Sequence, residues 1–256
     1  MHDIILFLAG LVVGGMNAIA GGGMLIGFPI LLAVGIPALV ANATTYIIVL
    51  PGGISATYGY RKYLRRVPRQ YLLLLIPTVI GAAIGSTVLR HTSSSTFENY
   101  VPGLVFVAVV LFAAQPVLYS QLHRNVHGSK QLKSTRKALL ITGLVVIPLS
   151  AYGGFFGAGF GFIMLAFLGF TRLHDHIHRM NALKNIMTIC IASTSLACLY
   201  GSHLIDWRHG LVMGTGCLLG GYYGSILTQK IPSHAIRIMV IIIGLGTATY
   251  LGLRHY

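Results

Sequence analysis

Apolar residues run through this chain in long blocks, parted by short polar or basic stretches. The blocks are Ile4–Ile36, Leu39–Tyr60, Tyr71–Leu89, Val101–Leu118, Ala138–Phe170, Met180–Tyr200, Leu211–Leu227 and Ile236–Leu253. A helix needs about 20 apolar residues to cross the roughly 30 Å hydrocarbon core of a bilayer. The first and fifth blocks are too long for that. Each holds about 33 residues, which a straight helix would stretch to roughly 50 Å. Both are interrupted by glycine, at Ala20-Gly21-Gly22-Gly23 and at Gly153-Gly154-Phe155-Phe156-Gly157-Ala158-Gly159-Phe160-Gly161. Clustered glycine forms helix poorly and leaves backbone groups bare. Lipid cannot satisfy those groups, so such a break survives only where protein buries it or where it lines a polar cavity. Matching breaks in two halves of one chain point to a transporter binding site.

The halves do match. Gly21-Gly22-Gly23 corresponds to Gly159-Phe160-Gly161, Asn42-Ala43 to Asn181-Ala182, and Gly81-Ala82-Ala83-Ile84-Gly85-Ser86 to Gly220-Gly221-Tyr222-Tyr223-Gly224-Ser225. From 21 to 159, from 42 to 181 and from 81 to 220 the offset is 138 or 139 residues. Tyr58-Gly59 and Tyr200-Gly201 match at 142, a small loop insertion apart. Four matches in order mark an internal repeat. The expected organisation is a first transmembrane repeat over 1–121, a basic cytoplasmic linker over 122–137 and a second repeat over 138–256.

Positive charge sets the topology. If each broken block crosses the membrane, the chain has eight full spans, and 12 of its 18 Lys and Arg residues fall inside. If each is a re-entrant hairpin, each half has one hairpin and three spans, and the halves are inverted. Inside then holds 15, with only Arg90, Arg208 and Arg254 outside. The positive-inside bias favours the inverted arrangement, and the short hairpin halves suit re-entry better than crossing. The fold class expected is an all-α polytopic membrane protein built as an inverted repeat, with eight full spans as the alternative.

Composition agrees: 55% of residues are apolar and 9% are charged, a membrane profile that leaves no room for a soluble catalytic domain. Met1-His2-Asp3 lacks a basic n-region, and no cleavable signal is read there. The net charge of +14 comes from loop clusters at Arg61, Lys62, Arg65, Arg66, Arg69 and at Arg124, Lys130, Lys133, Arg136, Lys137. That distribution fits anchoring at an anionic leaflet rather than nucleic-acid binding. Only Asp3, Glu98, Asp175 and Asp206 are acidic, and all lie near span ends. Cation-driven carriers bury Asp or Glu in their pathway, so an anionic substrate is expected here. Cys190, Cys198 and Cys217 are read as small packing residues.

Half-helices starting after Gly23 and after Gly161 would point their free N–H groups and positive dipole ends into the membrane. Two such ends can cradle one small oxyanion without a charged side chain. The candidate substrate-binding residues are therefore Gly21, Gly22, Gly23, Gly159 and Gly161, with donors from the segments that follow: Asn42, Thr44 and Thr45, and Asn181, Lys184 and Asn185. Lys184 lies inside an apolar span with no near carboxylate but Asp175, so a bound anion is a natural counter-ion; snorkelling to the interface is the alternative. Gly81/Gly85 and Gly220/Gly224 have the spacing of helix-packing glycines. The tract His174-Asp175-His176-Ile177-His178 fits no structural zinc pattern and reads as a loop. His203 and His209 flank a short loop as possible proton relays, and Tyr58 and Tyr200 suit the interfacial aromatic belt. No HExxH, GxSxG or P-loop sequence occurs, so neither an enzyme nor a cofactor is expected.

The pattern resembles the TauE/SafE family, the sulfite exporter family. It is carried by Ala20-Gly21-Gly22-Gly23-Met24-Leu25-Ile26-Gly27-Phe28-Pro29, then Gly35-Ile36-Pro37, then Ala41-Asn42-Ala43-Thr44-Thr45, and again by Gly157-Ala158-Gly159-Phe160-Gly161 and Ala182-Leu183-Lys184-Asn185. The second half departs at Phe160 in place of the middle glycine, at Phe167 in place of Pro29, and at Gly169-Phe170-Thr171-Arg172 in place of the Gly-x-Pro turn. The resemblance implies a secondary transporter in the plasma membrane, the inner membrane of a bacterial cell. It would export sulfite or organosulfonates by alternating access. Another small oxyanion or a carboxylate is the alternative cargo, and a membrane scaffold subunit is a weaker one. The partners expected are the small anion and the lipid bilayer, with no nucleic acid; a homodimer is an assembly open to such a chain.

Overall fold

The structure is a computed structural model, and it describes residues 2–19, 21–126, 136–169 and 177–227. Among these the chain is helical, without strands. The first half contains α1 (His2–Ile19), α2 (Met24–Ala33), α3 (Ala38–Gly59), two single turns α4 (Arg61–Leu64) and α5 (Arg69–Leu72), α6 (Leu75–Arg90) and α7 (Ser94–Val126). The second contains α8 (Arg136–Phe155), α9 (Phe160–Leu168), α10 (Ile177–Leu199) and α11 (Trp207–Leu227). Among the described residues, five stretches are long and apolar enough to cross a membrane: His2–Ile19, Ala38–Gly59, Arg69–Arg90, Ile177–Leu199 and Trp207–Leu227. The chain is thus a multi-pass membrane protein. The block expected at Ile236–Leu253 lies outside the described residues.

Both long apolar blocks break where the glycines stand. Gly21 has φ +81, and Gly157 and Gly159 have φ +70 and +82, a region costly for any residue with a Cβ. The Gly35-Ile36-Pro37 turn has an equally local cause. Gly35 at φ +94 ends α2, the Ile36 N–H reaches back to the Leu31 carbonyl at 3.2 Å, and Pro37 then opens α3. Helix α7 runs past Gln121 to Val126, and α8 already begins at Arg136, so helix enters both ends of the stretch read as linker. Polar and basic residues continue a helix readily beyond the bilayer, and cations suit a helix C-terminus.

Glycine faces bring the helix backbones together, and the order of contacts gives their directions. Where α1 meets α11, Gly10 abuts Met213 and Cys217, Gly14 abuts Cys217 and Gly221, and Gly220 abuts Leu11 and Gly15. Numbers rise together, so the two run parallel. The same holds for α3 on α11, where Gly210 meets Thr44 and Ile47 while Gly59 meets Ser225. It holds again for α6 on α8, where Gly81 meets Ile147 and Gly85 meets Ala151 and Phe155. Helix α6 also runs along α10, with Ser86 Oγ 2.7 Å from Ser195 Oγ and Arg90 donating to the Cys198 carbonyl at 2.9 Å. Between α3 and α10 the order reverses: Tyr46 interacts with Ser195, whereas Gly53 abuts Ile189.

Helices α1 and α3 therefore run the same way, and the break with α2 between them returns the chain to the side it left. Helices α8 and α10 likewise share the opposite direction. Each half's broken helix also packs on the other half, α1 on α11 and α8 on α6. Outward faces are apolar, as at Ile5, Leu8, Ile76, Ile80 and Leu218, which suits lipid contact.

Lipid tails are as apolar as leucine, so these helices are held by close packing rather than by hydrophobic expulsion. A Cβ on Gly14 or Gly220 would strike neighbouring backbone, whereas one on Gly143 meets only the Pro77 ring at 3.7 Å. Gly220→Val should accordingly cost upwards of about 1–3 kcal/mol and abolish recovery of monodisperse protein in detergent. Gly143→Ala should leave the melting temperature within a degree or so of the parent (well under ~0.5 kcal/mol, as for a surface change).

Candidate functional site

The two breaks meet. A Cβ placed on Gly21 would strike the Gly161 backbone, and one on Gly161 would strike Gly21. Two chain segments 140 positions apart thus cross backbone against backbone, which only glycine at both positions allows. An aromatic cluster braces the crossing. Phe156 is buried, with Phe28 of α2 edge-on at 5.6 Å, Tyr152 at 6.3 Å and Phe97 at 6.4 Å between ring centroids.

Beside the crossing lies a cavity of about 30 Å³, lined by Met24, Thr45, Tyr46, Val49, Gly153, Gly157, Phe160, Thr188, Ile191 and Ala192. It is about large enough for a water molecule. Met24 and Phe160 are the first residues of α2 and α9, so both half-helices begin at this one space. The middle turns of α3 and α10 complete it. Its polar residues are Thr45, Tyr46 and Thr188, whose hydroxyls donate to the carbonyls of Asn42, of Gly153 and Gly154, and of Lys184.

A broken helix also leaves carbonyls unpaired at its C-terminal end, and these are covered from across the molecule. At the end of α8, Tyr46 Oη donates to the carbonyls of Gly153 at 3.1 Å and Gly154 at 2.6 Å. Ser86 Oγ donates to the Gly154 carbonyl at 3.1 Å, and Asn42 Nδ2 to that of Phe155 at 2.8 Å. At the end of α1, Lys184 Nζ donates to the Asn17 carbonyl at 2.6 Å, and the Gly21 N–H reaches the same oxygen at 3.1 Å. Lys184 is fully buried, and among the described residues no carboxylate pairs with it. Its charge rests against the negative end of α1.

The expected site residues divide accordingly. Gly21 and Gly161 touch each other. Gly22 and Gly23 open α2 with carbonyls that accept the Leu25 N–H and the N–H groups of Ile26 and Gly27. Gly159 starts α9 in the left-handed conformation. Thr45 lines the cavity while its hydroxyl donates to the Asn42 carbonyl at 2.6 Å. Asn42, Asn181 and Asn185 are buried, and each keeps one side-chain atom without a partner: Oδ1, Oδ1 and Nδ2 respectively. None of the three lines the cavity. Thr44 stands apart: its hydroxyl donates to the Val40 carbonyl at 2.7 Å and accepts the Asp206 N–H at 3.0 Å, so it ties α3 to the loop before α11.

Tyr46, Asn17 and Thr188 were missed in the sequence. The repeat offset carried a signal for one of them, because Tyr46 corresponds to Asn185 as Thr45 does to Lys184. Of the histidine tract, residues 174–176 lie outside the described residues. His178 stacks near Tyr63, 4.7 Å between ring centres. No group of three metal-ligating side chains occurs among the described residues. Cys190, Cys198 and Cys217 are free thiols. His209 is tied to Asp206, ring nitrogen to carboxylate at 2.7 Å, while the same carboxylate caps α11 by accepting the His209 N–H at 3.1 Å.

With this geometry the comparisons can be read. The sequence profile described as Sulfite exporter TauE/SafE matches residues 6–251. The chain belongs to this family. A probable membrane transporter protein of Haemophilus influenzae is 32% identical over 93% of the chain and 89% of its own length. Probable membrane transporter protein YfcA of Escherichia coli is 29% identical over 93% and 85%, and YunE of Bacillus subtilis 22% identical over 95% and 96%. No solved structure matches. The family member is therefore a membrane transporter of the TauE/SafE type, not an enzyme.

Burial raises the Asp206 carboxyl, but the side-chain and backbone hydrogen bonds of His209 and the Arg208 backbone outweigh it and hold the group below its ordinary value. A carboxyl depressed in the folded state adds stability above its unfolded pKa of about 3.9. That stability is lost as pH falls through the folded value. Asp206→Ala should cost about 0.5–2 kcal/mol at neutral pH, read as a lower melting temperature in detergent, and the gap to the parent should close in that acid range.

Proposed function

We propose that this protein exports small sulfur-containing anions, sulfite or organosulfonates, across the plasma membrane. It does so by alternating access between two inverted halves. The observation that carries this reading is the convergence of both half-helix starts, Met24 and Phe160, on one cavity beside the crossing of Gly21 and Gly161. Helix N-termini favour negative charge, and the hydroxyls of Thr45, Tyr46 and Thr188, now donating to the Asn42, Gly153, Gly154 and Lys184 carbonyls, would turn to an anion's oxygens only by giving up those bonds. Gly21, Gly22, Gly23, Gly159 and Gly161 would let the anion approach the backbone, while Asn42, Asn181, Lys184 and Asn185 would supply polarity around it. Thr44, already committed at both ends of its hydroxyl, would act by holding the α3–α11 contact.

Helix direction supports the inverted repeat. The corresponding pairs α1 and α8, and α3 and α10, run oppositely. Charge supports the orientation. Asp3 and Asp206, at the starts of α1 and α11, and Glu98, just after α6, lie at one end of the bundle. The exposed Arg61, Lys62, Arg65, Arg66 and Arg69 lie at the other. The positive-inside bias puts that basic end in the cytoplasm. A cavity of about 30 Å³ belongs to a closed conformation, and rocking of the halves would open it to each side in turn.

Labelled sulfite flux in proteoliposomes tests the reading. Saturable flux is expected, inhibited by sulfonates and thiosulfate more strongly than by carboxylates. Inhibition by carboxylates alone would reassign the cargo, and folded protein without flux or inhibition would remove the sulfur-anion assignment. Gly161→Ala, which drives a methyl group into the Gly21 backbone, should lower the melting temperature in detergent and abolish flux.

A further inference from the structure

The donors nearest the crossing are already in use, and the two breaks are held differently. The end of α8 is covered by neutral donors from α3 and α6: Tyr46 on Gly153 and Gly154, Ser86 on Gly154, and Asn42 on Phe155. The end of α1 has one side-chain bond of comparable length, from the buried ammonium of Lys184 to the Asn17 carbonyl at 2.6 Å. The Tyr60 hydroxyl reaches the next carbonyl, Ala18, only at 3.5 Å. On α10, Asn181 Oδ1, about one turn before that lysine, and Asn185 Nδ2, on the residue after it, are buried without a partner.

We infer that Lys184 is an exchange latch: it locks the α1–α2 hairpin through the Asn17 carbonyl in the empty protein, and it releases that carbonyl to take the substrate anion. The inference rests on the anion site proposed above and assigns the moving part. A charge buried without a carboxylate needs a compensating group, and a carbonyl is the weaker of the two on offer. An anion carries full charge and makes the shorter, charge-assisted bond. Exchange leaves Asn17 with the Gly21 N–H alone, and that bond lies within the hairpin itself, so nothing in it ties α1 to α10. The α8–α9 hairpin keeps all its neutral bonds and stays in place. A neutral ligand cannot draw the ammonium away from the carbonyl, so the latch also selects for charge.

The test measures how fast a single cysteine at the cavity reacts with a hydrophilic maleimide. Met24→Cys is placed in a protein whose Cys190, Cys198 and Cys217 are replaced by Ala, and bound labelled sulfite is measured in parallel. With Lys184 present and no anion, labelling should be slow. Saturating sulfite should speed it at least fivefold. Lys184→Met, which keeps length and loses the ammonium, should be fast without sulfite and gain nothing from it. Lys184→Arg keeps the charge and should return labelling to the slow, sulfite-responsive form. Ser86→Ala, at the other break, should leave Met24→Cys slow. Slow labelling of folded Lys184→Met, or equal acceleration by Ser86→Ala, would overturn the latch even where sulfite binds normally. Absence of sulfite binding to the Lys184-containing protein would instead remove the site reading, whatever Lys184→Met does.

Discussion

A backbone crossing inside the bilayer governs this structure. Two helices stop partway, and lipid offers nothing to the N–H and C=O groups they expose. The fold answers by setting the breaks against each other at Gly21 and Gly161 and by covering the carbonyl ends with side chains from elsewhere. Tyr46 and Asn42 of the first half serve the break in the second, and Lys184 of the second serves the break in the first. Neither half can satisfy its own broken helix, so the halves fold as one unit.

The glycine content follows from the same need. Where α1 meets α11 and α6 meets α8, bare backbone allows an approach that any Cβ would prevent. The same pairings recur with the halves exchanged, which is how a repeated sequence gives a single closed bundle. The long apolar outward faces are then free for lipid. The basic turns between α3 and α6 stay exposed at one end, far from the described carboxylates.

The two breaks have become unequal. Repeat symmetry would give matched donors, yet Thr45 corresponds to Lys184 and Tyr46 to Asn185. One side carries hydroxyls and the other a buried ammonium and amide. On the latch inferred above, the hairpin held by fewer bonds yields first.

Much of this was legible in the residues. Apolar block lengths determined the helices, because a bilayer of fixed thickness leaves little choice, and the glycine runs determined where two of them break. The basic loops and the family were readable because each is a local pattern. Helix packing by Gly81, Gly85, Gly220 and Gly224 was readable from spacing alone. What needed the tertiary structure was every contact between distant positions: that Gly21 meets Gly161, that Lys184 bonds Asn17, that Tyr46 covers the Gly153 and Gly154 carbonyls, and that Thr44 turns away to hold Asp206. Sequence spacing says which residues share a helix face. Only the crossing of the two halves decides which face meets which, because carbonyls left bare in one half take their donors from the other.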